Sequence, residues 1–235
     1  MDLRAVKAAS RAELSACAVA SARNAQQLLY DAEALAGSGS RGRAYSLAVL
    51  AVEESGKAAG LTALGGLPNG MRTQAAAGRL LQWHQLKQVG GLLIAAVTFE
   101  APGVAAKLAA MPATQVTQIL RSLSLSAEEA DRLKRRGLYV DMGPSGRIRE
   151  PSEITEAEVT SQFVRARQAT ASAGMLLDPQ VQARIARPSE EAIELCQALA
   201  SALTAAGYTR TPQAAADVML EAVRRFQTTM AIKDA

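Results

Sequence analysis

The residues that could do chemistry fall in two short stretches. The first is Glu53-Glu54-Ser55-Gly56-Lys57, and the second runs from Arg79 through Trp83-His84 to Lys87. Between Ala44 and Met71 the only charged side chains are Glu53, Glu54 and Lys57. The rest of that segment is apolar on every side, the pattern of a buried central helix. Burying an unpaired carboxylate or ammonium costs several kcal/mol, so each of the three needs a partner, an exit to water or a task. Glu53 and Lys57 stand i,i+4, the favourable order for a helical ion pair, which leaves Glu54 pointing elsewhere. One glutamate therefore needs a cation from another helix, and Arg23, Arg79, His84 and Lys87 are the candidates.

His84 is the only histidine and Trp83 the only tryptophan. An imidazole with a pKa near ~6.5 can take or return a proton at neutral pH. A guanidinium such as Arg79 can hold a phosphate and offset its growing charge. Lys87 lies about 60° from His84 on a helix, close enough to join it on phosphate or to neutralise Glu53 or Glu54. Arg79 and His84, five apart, diverge by about 140° on an unbroken helix. They converge if a helix begins between them or across a two-fold axis. Two readings stand: Glu53, Glu54, Lys57, His84 and Lys87 form a reactive cluster between two helices, or they form an ion-pair network that fixes helix register. Adjacent glutamates diverge by about 100° and no Glu-x-x-His pair accompanies them, so no metal site and no cofactor are expected. Lys134-Arg135-Arg136 with Arg147 and Arg149 is the densest basic patch, suited to an RNA backbone or simply to water.

The elements that must position these residues are helical. Aromatics make up only 3% of the chain, so the core is built of Ala, Leu, Val and Ile, with Ala the best helix former. A first helix is expected over about 10–36, ended by Gly37-Ser38-Gly39-Ser40, and the central helix over about 42–64, the two forming an antiparallel hairpin. A third helix is expected over about 72–99. Ser126-Ala127-Glu128-Glu129 reads as a capping box opening a short helix that stops at Gly137. Leu138 to Asp141 and Arg147 to Arg149 can pair as a small hairpin. Helices resume at Thr155, after Pro188 and at Pro212, the last running to about Thr229. The whole is expected to be one all-α domain: a core over about 10–125, a hairpin insertion at about 138–150 and C-terminal helices over about 155–230.

The net charge of +4 permits phosphate contact without demanding it. Cys17 and Cys196 match no metal or redox spacing and read as small core residues in a reducing compartment. No apolar run resembles a signal peptide or is long enough to span a bilayer, so a cytoplasmic protein is expected.

Four pieces of sequence together resemble the AbiV family of bacterial abortive-infection proteins, within the wider HEPN group of helical domains. They are Asn24-Ala25 with Leu28-Leu29 and Asp31-Ala32; Ala44-Tyr45 and Leu47-Ala48 with Glu53-Glu54-Ser55-Gly56-Lys57; Trp83-His84 with Lys87; and Leu138-Tyr139-Val140-Asp141 with Pro151. They cover roughly 20–155. The resemblance implies an HEPN-like antiparallel bundle and phage defence, with RNA cut without a metal at an Arg-then-His site shared by a homodimer. On that pattern His84 and Arg79 are the catalytic candidates, joined by Glu53, Glu54 and Lys57 on the reading of a reactive cluster. Lys87, Arg135 and Arg136 are the substrate-binding ones, and a phage-encoded protein is a candidate partner. HEPN nucleases commonly carry a polar residue after the Arg; here it is Leu80. The alternative is a non-catalytic helical protein that binds a phage or host factor.

Overall fold

The computed structural model describes residues 2–67, 81, 111–142, 146–187, 190–205 and 212–233. These residues form an all-α fold with one two-stranded hairpin. The elements are α1 (Leu3–Ala8), α2 (Arg11–Gly37), α3 (Arg41–Gly66), α4 (Ala113–Leu138), β1 (Asp141–Met142), β2 (Ile148–Arg149), α5 (Glu156–Gly174), α6 (Pro179–Ala186), α7 (Glu190–Ala205) and α8 (Pro212–Lys233), with short 3-10 turns at Pro151–Glu153 and Met175–Leu177.

Ser10 opens α2 with a reciprocal capping box to Glu13. Gly39, at a φ of 84°, supplies the left-handed turn that sends α3 back along α2. The antiparallel register is fixed at the far end, where Arg11 Nε donates to the Gly65 carbonyl at 2.9 Å. That bond also satisfies an acceptor left open at the C-terminus of α3. Near the turn, Ala32 of α2, Ala48, Ala51 and Val52 of α3, and Ala166 and Ala169 of α5 form one small-residue cluster. Alanines allow the three helices to approach closely.

The expected central helix is present: α3 is buried along nearly its whole length, from Gly42 to Gly65. It contacts α2, α4, α5 and α7. The C-terminal helices share its core, since Leu195, Leu199, Val223 and Phe226 cluster with Leu61 and Leu64. The hairpin pairs Asp141 with Arg149 and Met142 with Ile148, in the expected place but only two residues long on each side.

Two expectations change, and a third lies almost wholly outside the described residues. Ser126 does not cap a new helix; α4 runs unbroken from Ala113 to Leu138. Its buried face, Val116, Ala127, Ala130 and Leu133, continues through the capping-box pattern, and Glu129 turns to Arg132 instead of back to Ser126. Two short helices, α1 and α6, stand where none was expected. The expected third helix falls on residues outside the described ones, except that Leu81 is helical and buried in the large cluster.

The crossing of α3 and α4 is set by two glycines. A Cβ on Gly42 would lie 2.5 Å from the Pro151 carbonyl oxygen and 2.8 Å from that of Gly137. A Cβ on Gly137 would collide with the Gly42 carbonyl oxygen and lie 2.6 Å from Ser46 Oγ. Backbone cannot retreat as a flexible side chain can, so Gly137→Ala is expected to destabilise by about 1–3 kcal/mol despite its better helix propensity. At roughly 2–4 °C per kcal/mol for a chain of this size, calorimetry will show the loss. Gly37→Ala, with nothing within 4 Å, is the control and is expected to leave the melting temperature level or slightly higher.

Candidate functional site

Glu53 projects from the middle of α3 into the body of the protein and is 3% exposed. Its expected partner was Lys57, but Lys57 Nζ sits 3.0 Å from Glu54 Oε2, one turn back in the i,i+3 sense. Positions three apart diverge by about 60°, so both carboxylates are within Lys57's angular reach and the choice falls to environment. Lys57 and Glu54 are both half-buried, and their ends meet at the edge of the helix.

Glu53 is met by Lys134 of α4, Nζ to Oε1 at 2.7 Å. Lys134 is itself 8% exposed, and its ammonium also lies 3.0 Å from Asp131 Oδ1. Burial pulls the Lys134 pKa down, but the hydrogen bonds and charges of Glu53 and Asp131 outweigh it, and the net direction is up from the ordinary 10.5. The ammonium is therefore held charged in a largely apolar layer. Beside it, Ser46 Oγ lies 2.9 Å from both the Lys134 carbonyl and the Gly42 carbonyl. The glycine crossing brings the two helices close enough for this contact.

Lys134 was not among the candidates for Glu53, because it reads as the first residue of a surface Lys-Arg-Arg run. The signal was in the spacing: Ala127, Ala130 and Lys134 recur at three and four, on the buried face of α4. The expected single basic surface is accordingly divided. Arg135 is exposed and 3.3 Å from Asp131 Oδ2. Arg136 is half-buried and pairs with Glu153 at 3.0 Å, where Arg147 reaches the other carboxylate oxygen at 3.3 Å. Arg149 remains on the exposed hairpin. Of the former patch, Arg135, Arg147 and Arg149 are all exposed, while Arg136 and Arg147 also meet Glu153 in the turn before α5.

His84, Arg79 and Lys87 lie outside the described residues. Cys196 is buried in the large cluster, and burial pushes its thiol up to about 12, so it stays protonated and inert. Cys17 packs at the edge of the same cluster. Among the described residues no group of His, Cys, Asp and Glu gathers as metal ligands would, and no helix is long and apolar enough to cross a membrane.

A family model, HEPN_AbiV, described as AbiV, matches residues 13–171, which include α2 through most of α5. No curated protein and no solved structure matches the chain.

The buried and half-buried pairs of α3 should differ in energy. Lys134→Met removes a principal cation of a buried carboxylate and is expected to cost about 3–5 kcal/mol. Lys57→Met, at a half-exposed pair, is expected to cost under about 1 kcal/mol. Because the folded pKa of Lys134 is raised, its contribution is complete below pH 10.5 and is lost as the pH climbs through the folded value. Urea midpoints of wild type and Lys134→Met, taken from neutral to alkaline pH, should converge only above that point.

Proposed function

Because the chain belongs to the AbiV family of HEPN domains, we propose that it is an abortive-infection effector acting in phage defence as a metal-independent endoribonuclease that arrests the infected cell. The observation that carries this reading is the family match over residues 13–171, which spans both the Glu53–Lys57 stretch and the Arg79–His84 pair. In the proposed reaction the 2′-oxygen attacks the adjacent phosphorus and the bond to the 5′-oxygen breaks. His84 works as the acid/base group, taking the 2′-hydroxyl proton or returning one to the leaving oxygen. Arg79 and Lys87 hold the phosphate, and Arg135 and Arg136 extend the contact to the RNA backbone. Glu53, Glu54 and Lys57 set the field in which the imidazole works. The chain is proposed to act as one helical unit, paired with a second copy so that an Arg79 and a His84 from different copies converge.

A second reading, a non-catalytic protein that captures a phage or host factor, is favoured by one feature. Tyr139, Val140 and Ile148 are exposed around the hairpin, and Leu138 partly so. Exposed apolar side chains gathered on one projection are the kind of surface that partners cover.

Incubation of the purified protein with total RNA in excess chelator, beside His84→Ala, separates the two. Cleavage that survives chelation and falls by roughly 10²-fold or more in the variant is the expected result. If neither protein cuts and His84→Ala still arrests infected cells, the nuclease reading is wrong.

A further inference from the structure

Side chains of α3, α4 and α5 border an open cavity of about 370 Å³, lined by Tyr45, Ser126, Glu129, Leu133, Gln162 and Arg165 among others. Two of its side chains have no hydrogen-bond partner within the described residues. Tyr45 is 4% exposed and Gln162 is 3% exposed, yet neither the phenol nor the amide makes a hydrogen bond among the described residues. Their polar ends line the cleft and are left free of protein partners among those residues, so a guest in the cleft could bond to both.

The lining defines the ligand. Arg165 is committed to the Ser126 carbonyl at 3.2 Å, and Glu129 to Arg132. Glu158 accepts from the Thr155 backbone and hydroxyl in the cap of α5. The carboxylates of Glu129 and Glu158 stand against one guanidinium on the wall, which disfavours an anion. The open phenol, amide and Ser161 hydroxyl disfavour a purely apolar guest. The phenol stays protonated, since burial, the first cause, pushes its pKa up to about 12. An uncharged planar ring with donors and acceptors on one edge satisfies all of this. Ala130, Leu133 and Ala157 supply apolar walls for its faces. The cavity volume is within the range of small-molecule sites, and a free amide pairs in bidentate fashion with the N6 and N7 atoms of adenine.

We propose that the Tyr45–Gln162 cavity is a nucleobase subsite, best matched to adenine, which takes a base turned out from single-stranded RNA or a free nucleoside. It rests on the reading that the chain acts on RNA, and it assigns to α3, α4 and α5 a grip on one base apart from the phosphate chemistry. Single-stranded RNA is ordinarily read through bases splayed out of the stack in this way.

Ligand-observed NMR and calorimetry on the full chain test it with adenosine, uridine and a short single-stranded oligoadenylate. Saturable binding of adenosine ahead of uridine, weakened roughly tenfold in Gln162→Met and measurably in Tyr45→Phe, is expected, with both variants melting within a few degrees of wild type. Oligoadenylate binding with the same sensitivity but no binding of free adenosine also supports the subsite and assigns its source to RNA. If no ligand binds at millimolar concentration, or both variants bind as wild type does, the cavity holds only water and the proposal is overturned. RNA cleavage without base binding would remove the subsite and leave the nuclease reading intact. Base binding without cleavage would do the reverse.

Discussion

A carboxylate cannot sit in the middle of a helix buried on all sides unless a cation is brought to it. Glu53 imposes that condition on this fold, and Lys134 meets it at 2.7 Å. The condition has a steric counterpart. An ammonium on α4 reaches α3 only if the helices lie close, and the missing side chains of Gly42 and Gly137 let the two backbones approach to contact. Ser46 then joins them a second time by facing the Lys134 carbonyl. Charge and shape thus fix the same register.

The consequences run outward from that crossing. With Lys134 turned inward, the residues that follow it take fixed directions. Arg135 faces water, and Arg136 reaches Glu153 at the turn before α5. Arg147 of the hairpin arm meets the same carboxylate. Leu133, the residue before Lys134, lines the space bounded by Tyr45 and Gln162, where Arg165 of α5 donates to the Ser126 carbonyl of α4. A buried ion pair seldom adds much net stability over an apolar contact. Its effect here is to choose one arrangement of α3 against α4.

The helices of the first half were legible because their signals are local. Ser10, the Gly37–Ser40 turn and the alanine spacing bound α2 and α3 to within a residue or two of where they stand. Thr155 with Glu158 did the same for α5. The partners of the charges were not legible, because a pairing across 81 residues is decided by how helices cross. The i,i+4 rule offered Lys57 to Glu53, yet the burial of Glu53 took it out of that pair's reach. The Ser126 pattern misled for a related reason: a capping box acts only where the chain before it is not helical, and the buried stripe of α4 continues through it. The cavity was invisible in sequence, since Tyr45 and Gln162 look like ordinary core and helix residues until three helices are brought together.

The central claim is that Glu53 and Lys134 recognise each other, and a double-mutant cycle measures that directly. Unfolding free energies of Glu53→Gln, Lys134→Met and the double variant give the coupling between the two side chains without assigning the cost of either alone. A coupling of about 1–3 kcal/mol is expected for groups in direct contact. Additivity to within about 0.3–0.5 kcal/mol would mean the two do not sense each other, and the register of α3 against α4 would need another cause.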